Sequence, residues 1–188
     1  CSFKILINII NNYNLINQKS IYEINSINKL KNILTETYNE VINDDNINII
    51  YDILDSEGKS EMINKIKLGT ASLDILILSE EYYITNFDLW ILSNKLKLPI
   101  LLISPTKIQY NSEVIFKLNK LDFEMIDIFY IVKLQKTKIK DEQRIIYKLI
   151  ECNKDYKIKY DELSDEFKKQ INNNEYITLD SFISKYKK

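Results

Sequence analysis

From Ile24 onward apolar residues recur at helical spacing: Ile24, Ile27, Leu30, Ile33, Leu34, Tyr38 and Val41. Just ahead of them, Ser20-Ile21-Tyr22-Glu23 has the form of a capping box, with a hydroxyl at the N-cap and a carboxylate three residues on. Together these predict a helix over 21–42. Residues 4–16 are mostly apolar and predict a buried helix before it. Asp44-Asp45 can cap a second amphipathic helix over 46–56, ended by Gly58, and Ser60–Leu68 reads as a third, ended by Gly69. Leu73–Leu78 is apolar apart from Asp74 and reads as strand or buried helix, because so short a run has no decisive period. Thr85-Asn86-Phe87-Asp88 is a further helix start, followed by Leu89, Trp90, Leu92, Ser93 and Leu96. Lys97-Leu98-Pro99 stops that helix. Ile100-Leu101-Leu102-Ile103 then predicts a central strand, residues 113–118 alternate as a strand does, and Ile126–Leu134 is the third strand candidate.

The C-terminal quarter differs in charge. Residues 1–134 carry 13 basic and 17 acidic groups, whereas residues 135–188 carry 13 and 10. Asp141–Cys152 reads as a helix or a strand followed by a helix, and Asp161–Asn172 and Thr178–Tyr186 read as two helices. The expected organisation is an α/β (α+β) domain over 1–136, a small sheet flanked by helices, with a mainly helical extension over 137–188.

Composition narrows the function classes. The 188 residues include 45% apolar types, 13 Tyr, 7 Phe and a single Trp, enough to bury a core. Basic and acidic groups nearly cancel, for a net charge of -1, so nothing in the charge favours nucleic acid or an anionic membrane surface as partner. The longest apolar stretch, Leu96–Ser104, holds Lys97 and Pro99 and is too short to span a bilayer. Two cysteines, Cys1 and Cys152, make no disulfide framework, and a reducing, cytoplasmic setting is expected. The chain opens on Cys1, not Met, and reads as a piece of a longer polypeptide. Heavy use of Ile, Asn, Lys and Tyr beside 2 Gly and 2 Pro reads as AT-rich codon usage, so the asparagine tracts say nothing of disorder.

The chain contains no histidine. That removes Ser–His and Cys–His pairs, the HExxH zinc site and any imidazole proton shuttle. No GxxxxGK[ST] or GxGxxG cradle is present, two cysteines cannot supply a four-thiolate zinc site, and no cofactor or metal is expected. Among carboxylates, Glu80-Glu81 could perturb each other in a cleft, or form a solvated turn ahead of Thr85. Asp44-Asp45 and Asp161-Glu162 read as charges at helix starts. Cys1, at the start of an apolar helix, could have a thiol of lowered pKa. Cys152, after Leu149-Ile150, reads as a small core hydrophobe.

Two segments resemble the ovarian-tumour (OTU) family of papain-like cysteine proteases. Cys1-Ser2-Phe3-Lys4-Ile5-Leu6 is similar to the family's nucleophile segment from the cysteine onward. Tyr82-Tyr83-Ile84-Thr85-Asn86-Phe87-Asp88-Leu89-Trp90-Ile91-Leu92-Ser93, leading into Leu98-Pro99-Ile100-Leu101-Leu102-Ile103, is similar to its later helix-and-strand segment, with Asp88 where the family has Glu. Ile84 and Thr85 replace the family's glycines. The third family segment carries His-Tyr on a strand; Asp127-Ile128-Phe129-Tyr130-Ile131 would correspond, putting Phe129 at the position of the histidine base. The resemblance covers roughly residues 1–134. It implies a papain-like fold, Cys1 at the nucleophile position, and Tyr82, Tyr83 and Tyr130 as binding residues. Divergent domains of this kind occur in large DNA viruses, which would place the protein in the cytoplasm or the virion.

Three functions follow as expectations. The first is a non-catalytic OTU-like module that binds ubiquitin, a ubiquitin-like protein or other virion proteins, or is a structural part of a larger assembly. The second is an active thiol hydrolase using Cys1 with a base from a carboxylate or a partner chain. A carboxylate of pKa near 4 facing a thiol near 8.5 costs that route about 6 kcal/mol. The third is an interaction or scaffold protein unrelated to that family, docking through its Lys- and Tyr-rich tail.

Overall fold

The computed structural model describes residues 2–17, 24–105, 113–139 and 142–186. Six helices come first: α1 (Ser2–Asn17), α2 (Ile27–Val41), α3 (Ile47–Leu54), α4 (Ser60–Lys67), α5 (Leu73–Leu78) and α6 (Asn86–Lys95). Strands β1 (Ile100–Pro105), β2 (Glu113–Lys117), β3 (Tyr130–Ile139) and β4 (Glu142–Leu149) follow, then α7 (Asp165–Asn173) and α8 (Leu179–Tyr186). The fold is mixed α+β: a small four-stranded sheet flanked by helices, the two C-terminal helices among them.

The start of α2 differs from the prediction. The expected cap at Ser20–Glu23 lies outside the described residues. The helix begins after Ser26, which has an extended backbone and whose hydroxyl accepts the Lys29 N–H at 3.2 Å. A hydroxyl closer to the apolar stripe takes the capping role, and Leu30, Leu34 and Tyr38 then face the core. Leu73–Leu78 resolves as helix α5: Ser72 precedes it in extended conformation, Asp74 lies in its first turn, and Leu76 and Ile77 pack toward α2.

Gly58 ends the first of the two helices flanking it. Residues Asp55–Lys59 form one wide π-type turn, and Gly58 sits at φ +97°, where a side chain is strained. A Cβ there would also lie 3.1 Å from the Tyr83 hydroxyl. The chain turns sharply at this point and sends the Lys59 side chain inward.

The sheet order is β2-β1-β3-β4, with β1 antiparallel to β2, parallel to β3, and β3 antiparallel to β4. Two predictions are corrected here. Residues 122–127 form a turn, with the Glu124 N–H bonded to the Asp122 carboxylate, so β3 starts later than Ile126 and continues to Ile139. Of the two readings of Asp141–Cys152, the strand is the one found, as β4, and no helix follows it within that segment: Glu142–Leu149 pairs with β3 from Ile139↔Glu142 to Val132↔Leu149.

Alternation along the strands feeds two apolar clusters. Ile100, Leu102, Tyr130, Val132 and Tyr147 point to the large cluster under helices α1–α6. Leu101, Ile115, Phe129 and Ile131 point to the opposite face, where Phe123, Ile158 and Ile171 of α7 complete a smaller cluster. Tyr147, Ile177 and Phe182, all beyond the change of charge at 136–140, belong to the large cluster. One continuous core therefore runs across that change. Among the described residues, no helix is long and apolar enough to cross a membrane.

Candidate functional site

Helix α6 is buried around its circumference from Phe87 to Ser93, which makes it the central helix of the fold. It contains one acidic residue, Asp88, and that side chain is 0% exposed. A carboxylate in that position survives only if donors replace its water. They come from four directions. The Tyr38 and Tyr82 hydroxyls donate to Oδ1 at 2.6 and 2.8 Å. The Lys59 ammonium reaches Oδ2 at 2.6 Å, and the Thr85 N–H and hydroxyl donate to the same oxygen at 2.9 and 3.1 Å. The Thr85–Asp88 part is a capping box at the helix start read from the sequence. Lys59 also lies over the Tyr82 ring, 3.7 Å from its centroid. Burial lowers the Lys59 pKa, and the Asp88 charge opposes that shift.

Glu57 reaches the same helix end from the π turn. Its Oε2 accepts the Phe87 N–H at 3.2 Å, one of the donors that the first turn of α6 leaves unpaired. Burial, reinforced by the Asp88 charge, pushes its carboxyl up to about 7 against the pull of its hydrogen bonds and of Lys59. Tyr83 closes the turn by donating its hydroxyl to the Gly58 carbonyl at 2.6 Å while its ring stays 39% exposed. Burial and the charges of Asp88 and Glu57 push the hydroxyls of Tyr38 and Tyr82 well above the ordinary tyrosine value. Asp88, Lys59, Tyr38, Tyr82, Tyr83, Thr85 and Glu57 are thus each committed to a neighbour in the chain.

The other end of α6 is open. A cleft of about 540 Å³ lies there between the end of the helix, the segment after β2 and the start of α8. Lys97 and Lys120 supply its charge, Trp90 and Tyr176 its aromatic walls, Leu179 an apolar side and Asn119 its floor. Asn119 is fixed by donating to the carbonyls of Ser93 and Leu98. Trp90 is fixed by its indole N–H, which donates to the Ile177 carbonyl at 2.7 Å, and by stacking on Phe87. The Lys120 ammonium lies 4.9 Å from the centre of the Tyr176 ring. Lys97 has φ +51°, in the left-handed region, where it turns the chain after α6.

The residues singled out from the sequence are scattered. Cys1 lies outside the described residues. Tyr82 and Tyr83 come together at the Asp88 knot, but Tyr82 is buried there, so its ring presents no surface. Tyr130 is a core residue under the large cluster and is likewise no surface residue; its hydroxyl has no hydrogen-bond partner among the described residues. Phe129 is fully buried on the other face of the sheet, edge-on to Phe123. Glu80 and Glu81 are exposed on a turn, as the simpler reading expected, and Cys152 is half-buried against the smaller cluster.

Sequence reasoning missed Lys59 and Glu57, whose only signal was their position around a helix-ending glycine. It missed the cleft entirely, since that requires Lys97 and Lys120 to meet Tyr176 and Leu179 from the tail. The fold and site together define a mixed α+β protein with a saturated buried ion pair at one end of its central helix and a basic cleft at the other. Comparison with protein-family models, curated proteins and solved structures returned no match.

Proposed function

We propose that this chain acts by binding a protein partner, without catalysis of its own, through the cleft at the C-terminal end of α6. The single observation that carries the reading is the contrast between the two ends of that helix. At the Asp88 end, carboxylate, ammonium and hydroxyls are spent on one another. At the cleft end, two ammonium groups and two aromatic rings line a concavity large enough for a few residues of a partner.

The likeness to the ovarian-tumour family belongs to the same proposal, as one of ancestry. Its support is the order of elements, a first helix over Ser2–Asn17 and a later helix leading directly into the central strand. The third segment fits less well: Phe129 faces away from α1, and Tyr130 is the residue that shares a cluster with it. Ubiquitin is accordingly the first partner to test. Titrated into the isotopically labelled chain, a partner should shift backbone signals around Trp90, Lys97 and Lys120. Ubiquitin-fold partners that shift signals only elsewhere would remove the cleft from the reading. Turnover of an isopeptide substrate by the purified chain, lost in Cys1→Ala, would replace the reading with a hydrolase.

A further inference from the structure

The cleft carries a more specific inference, which rests on the protein-binding reading above. We propose that its occupant is an acidic peptide segment, with a side-chain carboxylate held between Lys97 and Lys120 and a neighbouring apolar side chain against Trp90 and Leu179.

The charge of the site comes first. The chain as a whole has a net charge of -1, yet the residues that line the cleft include two lysines and no aspartate or glutamate. A concave, partly apolar wall around unopposed cations raises their potential above that of an open surface. The complementary occupant is anionic. The wall is also apolar on one side, so an occupant with a charged group alone leaves half of the surface wet.

The backbone at Lys97 is the second observation. Helix α6 ends with the Leu98 N–H bonded to the Ser93 carbonyl at 2.9 Å and the Lys97 N–H to the Asn94 carbonyl at 3.4 Å. This closure places residue 97 at the left-handed position, which glycine and asparagine occupy at least cost. Lysine is strained there. A cation near a helix C-terminus gains some compensation from the helix dipole, but that gain is available to any residue of the last turn, and Lys95 already lies in it. The side chain at 97 is instead exposed over the cleft. Lys154 also takes a positive φ, of 66°, so the backbone alone does not single Lys97 out; its exposed side chain in the lining of the cleft does.

Lysine at both positions supplies two point charges and not the planar fork that grips carboxylate or phosphate with two parallel bonds, so the choice of a carboxylate rests on the apolar wall beside them, which suits a peptide side chain better than a free anion. Lys120 is held above Tyr176, so one of the two cations is partly positioned before any ligand arrives.

The chain's one tryptophan lies in the wall, so its fluorescence reports occupancy directly. The probes are N-acetylated decapeptides with a fixed central Leu-Xaa-Leu, where Xaa is Glu, Gln, Lys or phosphoserine, and inorganic phosphate alone. The expected result is saturable change with the Glu peptide, binding weaker by about tenfold with Gln, and none with Lys. Lys120→Gln should weaken the Glu peptide about three- to fivefold and leave the Gln peptide unchanged. Lys97→Gly should do the same while the denaturation midpoint holds or rises, which separates lost binding from lost folding. Equal affinity for Glu and Gln peptides would overturn the carboxylate while leaving the protein-binding cleft in place. Tighter binding of phosphoserine peptide, or of phosphate alone, would overturn it in favour of a phosphate or free-anion site. Silence of Trp90 toward every peptide, with ubiquitin-fold partners also failing to shift cleft signals, would overturn both readings.

Discussion

Replacing Asp88 by Asn tests the central claim about the buried knot. The substitution keeps size and shape but removes the charge that neutralises Lys59, whose side chain is 1% exposed and 2.6 Å away. The carboxamide also brings its own N–H donors into a ring already made of donors: two tyrosine hydroxyls, an ammonium and the two groups of Thr85. Leaving one member of a buried pair alone costs about 3–5 kcal/mol. Against a typical total stability of about 5–15 kcal/mol, that brings the variant close to unfolding at room temperature. Urea denaturation followed by circular dichroism at pH 7 gives the difference directly. The pH dependence has a definite sign. In the variant the folded chain disfavours charged Lys59, while the unfolded chain keeps that proton up to about pH 10.4. The unfolded state therefore binds more protons, and the deficit shrinks as pH rises from 7 toward 10. Adding Lys59→Met removes the stranded charge, so Lys59→Met/Asp88→Asn should be more stable than Asp88→Asn alone. A loss below about 1 kcal/mol in Asp88→Asn, or a double variant whose loss equals the sum of the singles, would refute the assignment of Asp88 as the counter-charge of the core.

Two further outcomes are expected. Glu57 holds its proton in the folded chain up to about pH 7, well above the value of 4.5 it has when free, so folded molecules bind more protons in that window and stability falls as pH rises through it. Glu57→Gln should remove this part of the slope, and denaturation midpoints at pH 5 and pH 7.5 should lie closer together than in the parent; an unchanged gap counts against the buried acid. Tyr130 buries a hydroxyl that has no partner among the described residues, and burial pushes its pKa up to about 12. Tyr130→Phe removes that unpaired group and should be neutral or stabilising by up to about 1 kcal/mol, measured by thermal unfolding; a loss above 1 kcal/mol means the hydroxyl has a partner.

Local chemistry accounts for what was legible in the sequence. The Thr85–Asp88 helix start, the helix-ending role of Gly58 and the strand at Ile100 depend on residues within a few positions of one another, and each appears where the pattern put it. The start of α2 differs because Ser26, next to the apolar stripe, supplies the cap. Strand β4 stayed one of two alternatives because its partner is another strand, and no local period marks Glu142–Leu149. The same limit hid both ends of α6. Asp88 reads as part of a helix start from sequence alone, and only the turn at Gly58 brings Lys59 under it, 29 residues away in the chain. Trp90 reads as core, and only the return of residues 176–179 turns its flank into a cleft wall. Of the three tyrosines that the resemblance offered as binding residues, Tyr82 and Tyr130 lie in the interior.

The bond from the Trp90 indole to the Ile177 carbonyl spans 87 positions, and Phe182 closes the aromatic group of Phe87 and Trp90 at ring distances of 5.2 and 5.5 Å. A ribosome synthesising this chain therefore emits the central helix long before the residues that seal it. Until α8 emerges, the nascent polypeptide holds an indole and a phenyl ring open to solvent or to a chaperone. Completion of this core waits for the codons of α8, and a stop between β4 and α8 would release a product with that aromatic seam unsealed.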